Sequence, residues 1–208
     1  ITIDGRTVLC DAKKNQELWK LTCGGMGLTG IIISAKLKLK KVNSSIIHQK
    51  TIKASSIDEL FNCFEKNNQD PYSVAWVDCT AKNDSLGRGI FMSGKFLDSP
   101  KSYRYRIYKN QKFSIPFLMP KYLLNPLTIK CFNSIYYRLS GHSKSGRQTP
   151  YDDFFFPLDK IKNWNRIYGD AGFLQYQFVL PKLSSTKGLK SILELIANSG
   201  EGSPLAVL

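Results

Sequence analysis

Ile46-Ile-His-Gln-Lys-Thr-Ile-Lys-Ala54, followed by Ser56-Ile-Asp-Glu-Leu-Phe61, is the stretch that decides the fold. The first nine residues read as a strand, and the serine opens a helix that runs to about residue 67. Residues 72–79 and 89–96 read as two further strands. Much later, residues 173–180 read as a strand, 186–198 as a helix, and 204–208 as a strand interrupted by the end of the chain. Strand–helix–strand–strand, then strand–helix–strand, predicts an α+β fold, an antiparallel sheet with helices on one face.

Upstream of this pattern the chain has a different character. Ile1 and Ile3, an Asp4-Gly5 turn and residues 7–10 read as a hairpin, and Asn15 is placed to cap a short helix through Leu21. Then comes Leu21-Thr-Cys-Gly-Gly-Met-Gly-Leu-Thr-Gly-Ile-Ile-Ile33, with Gly24, Gly25, Gly27 and Gly30 inside seven residues. Glycine lets the backbone turn sharply and lets a ligand approach without a Cβ in the way. A tight helix-to-strand connection needs the same residues. Beyond it, Ile31, Ile33, Ala35, Leu37 and Leu39 alternate with Ser34, Lys36, Lys38 and Lys40, which reads as a half-buried strand. The boundary between the two units is expected near residues 41–45, giving 1–43 and 44–208. The first residue is Ile and the last strand is interrupted, so both ends read as cut.

Within the second unit, residues 98–170 form a long insert. Tyr103, Tyr105, Tyr108, Phe113, Phe117, Phe132, Tyr136 and Tyr137 make it aromatic, and Pro116, Pro120 and Pro126 interrupt it. Residues 123–139 read as an amphipathic helix broken near Pro126 and carrying Lys130 and Arg138. Residues 140–147 read as a flexible connector. Long inserts of this kind are often lids or binding loops, and this one suits a membrane surface or a lipid tail. A helical subdomain packed on the core is the alternative.

Composition sets the outer limits. The chain has 208 residues, 42% of them hydrophobic, enough for a buried core. Thirty basic and sixteen acidic residues leave a formal charge of +14. Such an excess points to nucleic acid, an anionic membrane or a phosphorylated substrate. The lysines read as scattered, and the run from Lys36 to Lys41 as one solvated strand face, so a nucleic-acid arm is disfavoured. Cys10, Cys23, Cys63, Cys79 and Cys131 form no CxxC pair and no cluster with His48 or His142, which argues against a zinc site and for reduced thiols in a cytoplasmic protein. No apolar run is long enough to span a bilayer.

The glycine turn, read with Gly172-Phe-Leu-Gln-Tyr-Gln-Phe-Val-Leu-Pro181, resembles FAD-dependent oxidoreductases of the vanillyl-alcohol-oxidase type, in particular the branch that oxidises polyprenylphosphoryl ribose at its 2'-hydroxyl. The resemblance extends through Tyr72-Ser-Val-Ala-Trp76, Tyr151-Asp-Asp-Phe-Phe-Phe-Pro-Leu-Asp159 and Trp164-Asn-Arg-Ile-Tyr168. It implies that residues 1–43 are the end of an FAD-binding domain and 44–208 an incomplete substrate domain. Gly30 and Ile31 would lie against the flavin, with Gly24, Gly25 and Gly27 shaping the turn. It implies a substrate pocket containing Gln175, Gln177, Trp76, Phe155, Leu158 and Arg166. Phe155 stands where that pattern leads one to expect tyrosine.

The residues carry their own arguments for some of these roles. Gln175 and Gln177 share one face of their expected strand, and two neighbouring amides suit sugar hydroxyls or the edge of a flavin. Solvated glutamines on an open face are the alternative. Trp76 reads equally as core, and Arg166 either as a bidentate partner for a phosphate or as a surface arginine. The resemblance further implies a lipid-linked sugar phosphate as substrate, a short-chain reductase as partner, a peripheral contact with the inner face of the membrane, and no nucleic acid. No residue of this chain is expected to be the catalytic base, and none a metal ligand. An aldonolactone or alditol oxidase of the same superfamily is the enzymatic alternative, though a soluble substrate has no use for the aromatic insert. A basic nucleic-acid-binding protein is the alternative of another class.

Overall fold

The computed structural model describes residues 1–98 and 113–208, so Tyr103, Tyr105 and Tyr108 lie outside the described residues. The chain divides into two units, Ile1–Lys41 and Val42–Leu208.

In the first unit, α1 (Gln16–Thr22) ends at the glycine turn. Asn15 sits at the N-cap position with a left-handed backbone, and its amide donates to the Leu9 carbonyl at 2.9 Å instead of capping the helix. The Asp4-Gly5 turn forms, with the Gly5 amide donating to the Thr2 carbonyl at 2.9 Å. No ladder continues from it, and residues 31–40 likewise carry no strand. The alternation there is real, but a strand needs a neighbour to share its backbone hydrogen bonds, and a single mutual pair between Ile1 and Ile31 does not make a ladder.

The second unit holds the sheet. Its strands are β1 (Ile46–Ala54), β2 (Tyr72–Val77), β3 (Gly89–Phe96) and, after β4 (Phe113–Ser114), β5 (Ser143–Pro150). They lie in the order β2-β3-β1-β5, every pair antiparallel. Residues 206–208 run antiparallel beside β2, with Ala75 and Leu208 exchanging amide–carbonyl bonds of 2.9 Å. Helix α2 (Ile57–Lys66) starts where Ser56 accepts from the Glu59 amide. Helix α3 spans Pro126–Leu139, α4 spans Tyr151–Phe155, and after β6 (Ile161–Lys162) comes α5 (Lys182–Ser199).

One face of the sheet is the core. Ala54, Ala75, Val77 and Phe91 pack there against Ile57 and Leu60 of α2 and Leu189 and Leu193 of α5. Phe91 is fully buried, so truncating it to alanine costs about 3–5 kcal/mol. Two helices on one face of an antiparallel sheet is the α+β layer that the strand and helix order predicts.

Three local expectations change. Residues 140–147, expected to be a connector, include most of β5. The serines, lysine and arginine that suggest a loop suit an exposed edge strand, where charge discourages further pairing. A register shift opposite Gln49 and Thr51 accommodates Gly146, whose φ is +87°. Pro126 opens α3 at its first turn instead of breaking it, with Asn125 accepting from the Leu127 and Thr128 amides. Finally, residues 173–180 form no strand. Leu174 and Tyr176 are 101% and 87% exposed, and only Leu180 of the expected inward face reaches the core.

Candidate functional site

Strand register places a second set of side chains on the sheet face opposite α2 and α5. Trp76 pairs with Ile90, Val74 with Met92 and Tyr72 with Gly94, and Gly94 pairs in turn with Gln49 of β1. Paired residues share a face, so Tyr72, Val74, Trp76, Met92, Gln49 and Thr51 lie on one surface.

Aromatic side chains bound this surface at two ends. Tyr136 of α3 meets the Trp76 ring edge to face at 4.8 Å between centroids. At the other end Phe155 of α4 meets Tyr72 at 5.0 Å and Phe96 at 6.2 Å. Tyr72 and Trp76 are four residues apart on one strand, roughly 13 Å, which leaves Val74 and Met92 between the two aromatic ends. On β1, Gln49 Nε2 donates to Thr51 Oγ1 at 3.1 Å. Trp76, Gln49 and Thr51 are buried and Tyr72, Val74 and Met92 are half-buried, so the parts of this face open to a ligand are its aromatic margins at Tyr136 and Phe155.

The middle of α3 is fixed by a buried polar hub around Asp78, which the strand alternation places on the Trp76 face without showing that it is buried. Asp78 follows β2 and is completely buried. Its Oδ1 accepts from the Thr80 amide at 3.0 Å, the Thr80 hydroxyl at 2.6 Å and Asn133 Nδ2 at 3.1 Å. Its Oδ2 accepts from Arg88 Nε at 2.9 Å and makes an ion pair with Nη2 at 2.8 Å. Arg88 also donates to Ser134 Oγ and lies over the Tyr137 ring at 4.9 Å. The signal was present in the alternation of β2, which puts Asp78 in line with Trp76 on a strand leading into the core.

Trp76 is 5% exposed, and its Nε1 donates to the Pro204 carbonyl at 2.9 Å. Burial pushes the Tyr136 phenol up, so it remains a neutral donor at ordinary pH. Burial likewise pushes the Cys79 thiol up. That thiol donates to the Ser203 carbonyl at 3.4 Å and is a structural group.

The contacts described for the other expected site residues are made elsewhere. Leu158 is half-buried in the turn after α4. Arg166 Nη1 donates to the Ile115 and Pro116 carbonyls at 3.0 and 2.7 Å, and the Met119 amide donates back to the Arg166 carbonyl at 2.8 Å. Its visible work is to hold residues 115–119 beside β6. Trp164, Tyr168 and Phe173 form a separate aromatic group, with Tyr168 and Phe173 at 4.5 Å. Gln175 and Gln177 are exposed and belong to no strand. Trp76 and Phe155 are thus brought to one face, while Arg166, Gln175 and Gln177 are not shown there.

In the first unit, Gly24 and Gly27 both have φ of +79° and Gly30 has φ of +136°. A Cβ on Gly25 would overlap the Leu21 carbonyl, and one on Gly30 the Ile1 carbonyl. A Cβ on Gly24 or Gly27 would meet nothing within 4 Å, so those two α-carbons face open space. Ile31 is exposed. Open backbone at Gly24 and Gly27, with an exposed apolar side chain at Ile31 further along the same turn, fits the approach of a flat, partly apolar ring. Among the described residues no group of His, Cys, Asp and Glu could hold a metal ion.

No family model matches the chain. It is similar to the decaprenylphosphoryl-beta-D-ribose oxidase of Mycolicibacterium smegmatis, with 33% identity over 211 residues that cover 96% of this chain and 45% of that protein. It is also similar to an uncharacterized protein in the mprA 5' region of Streptomyces coelicolor, 31% identical over 93 residues, 44% of this chain and 25% of that protein. The chain therefore spans less than half the length of the oxidase that it matches. The resemblance first read from the glycine turn and the later blocks holds over nearly the whole of the chain.

Proposed function

We propose that the protein is an FAD-dependent oxidoreductase that oxidises the 2'-hydroxyl of a polyprenylphosphoryl ribose, the first half of an epimerisation to the arabinose form. The observation that carries this reading is the likeness to an oxidase of that name over 96% of the chain. A bound flavin supplies the hydride acceptor. The glycine turn supports its binding, with open backbone at Gly24 and Gly27 and the exposed apolar Ile31 after its last glycine. Phe155 offers a ring to the sugar at one aromatic end of the sheet face, and buried Trp76 acts at the other end through the Tyr136 ring that it supports. Gln175 and Gln177 offer amides to its hydroxyls, and Leu158 adds apolar surface. Arg166 acts on this reading through the segment that it clamps, with its remaining guanidinium nitrogens left for a phosphate. The keto product passes to a short-chain reductase, and the protein works as a peripheral protein at a membrane surface. Among the described residues no helix is long and apolar enough to cross a membrane.

The test is the visible spectrum of the protein expressed from its complete reading frame. A flavin band that is bleached anaerobically by a polyprenylphosphoryl ribose, and not by an aldonolactone, is the expected result. A colourless protein that cannot be reconstituted with FAD overturns the reading. Bleaching by the aldonolactone alone moves the assignment to the lactone-oxidising branch.

A further inference from the structure

Helix α3 is inside out. Its buried side carries Asn133, held between Asp78 and the Ser203 carbonyl, and Tyr137, whose hydroxyl donates to the Ala54 carbonyl at 3.2 Å. Of its large apolar residues only Ile129 is buried. Leu127, Ile135 and Leu139 follow each other along the opposite side at four- and eight-residue spacing, and Leu127 and Leu139 are 77% and 81% exposed. An ordinary surface helix does the reverse, turning its apolar stripe to the core. Phe132, Ile135, Tyr136, Leu139 and Ser140 line an open, mostly apolar depression of about 410 Å³ on this outer side.

Along the chain, charge is segregated around this helix. From Phe113 to Tyr151 the sequence contains five Lys or Arg residues (positions 121, 130, 138, 144 and 147) and no Asp or Glu. Lys130 and Arg138 are exposed on α3 itself, flanking the apolar row. An exposed apolar row with Lys130 and Arg138 beside it and no acid on the helix itself is complementary to an anionic lipid surface, where acyl chains receive the leucines and headgroups the cations. A folded protein partner with an apolar patch would satisfy the leucines but would give no reason for excluding every acid over 39 residues.

We propose that the outer face of α3 is an interfacial docking surface for anionic lipid bilayers, with α3 lying in the plane of the headgroups. The polar anchorage of the helix holds it to the sheet while its apolar row enters the bilayer. This docking rests on the membrane-surface part of the proposed function but on neither the flavin nor the substrate, so it can fail without disturbing the flavin reading, and the converse holds too.

The complete protein is mixed with vesicles of phosphatidylcholine alone or phosphatidylcholine with phosphatidylglycerol and separated by flotation. It should float only with the anionic vesicles and be released by salt. Leu127→Ser/Leu139→Ser should abolish flotation with the flavin spectrum unchanged. Lys130→Gln/Arg138→Gln, which leaves the apolar row intact, should weaken it on the order of tenfold. Absence of flotation with either vesicle overturns the proposal. So does a fall in melting temperature of the serine variant with unchanged flotation, because the face is then packed within the complete protein. A wild-type dimer that dissociates in the serine variant without any vesicle binding assigns the face to a second copy. Binding to single-stranded RNA that vesicles fail to displace assigns it to nucleic acid.

Discussion

Arg88 engages the carboxylate of Asp78 through both Nε and Nη2, at 2.9 and 2.8 Å, and Asp78 exposes none of its surface. Removing one member of a buried pair strands the other charge. Asp78→Asn and Arg88→Ala should each destabilise by about 3–5 kcal/mol. Urea unfolding of the three proteins measures it. Equal midpoints for wild type and both single variants would show that the pair is energetically idle.

Trp76 both supports the sheet face and closes on the Pro204 carbonyl. Trp76→Phe keeps an aromatic ring near Tyr136 but drops that hydrogen bond, so about 1 kcal/mol of stability should be lost. On the proposed function KM for the ribose substrate should rise several-fold as well. Steady-state kinetics beside a thermal melt separates the two effects.

Two neighbouring glycines should respond unequally. Gly24→Ala meets open space and suffers only from its positive φ, about 1–2 kcal/mol. Gly25→Ala drives a methyl into the Leu21 carbonyl, and the turn cannot close around it. Flavin content per protein after purification should be near normal for the first and strongly reduced for the second. The opposite order would disprove this account of the turn.

Glu59 accepts from the Ser55 amide and hydroxyl, both at 2.7 Å, and these bonds hold its carboxyl below the usual carboxylate range. A lowered folded-state pKa means stability present above the unfolded value of about 4.3 and lost as pH falls through the folded value. Glu59→Gln should therefore cost up to about 1 kcal/mol at pH 7, and the difference should close near pH 3. Urea midpoints at the two pH values check the sign.

Arg166→Lys removes the fork that spans two carbonyls. Hydrogen exchange should accelerate at the Ile115 and Met119 amides, which donate to Lys162 and Arg166. Unchanged exchange with a raised KM would place the guanidinium on the substrate phosphate instead.

Much of the sheet unit was legible in the sequence because each element has a local cause. Residues 46–54 and 89–96 were read with the bounds that β1 and β3 have, and Ser56 opens α2 as read. Tertiary partnership was not legible. Residues 31–39 and 173–180 alternate as cleanly as any strand, yet alternation reports only that an extended chain has two faces, not that another strand lies beside it. Residues 140–147 failed in the other direction, since a polar edge strand and a loop have nearly the same composition. The charge pattern could have been read and was not. Residues 99–151 hold ten Lys or Arg and no Asp or Glu, so the basic residues are less scattered over the chain than expected, and Lys36–Lys41 is not their main concentration. At the candidate site, Trp76 and Phe155 came from resemblance, while Tyr136 and Gln49 became visible only through pairing register and ring contact.

Because α3 is fastened by Asn133 and Tyr137 and not by its leucines, the residues that hold the helix and those that meet the exterior are separate sets. Mutations on the outward set carry little folding penalty. Homologues can therefore drift there to suit a different surrounding while the anchor and the sheet beneath it stay as they are.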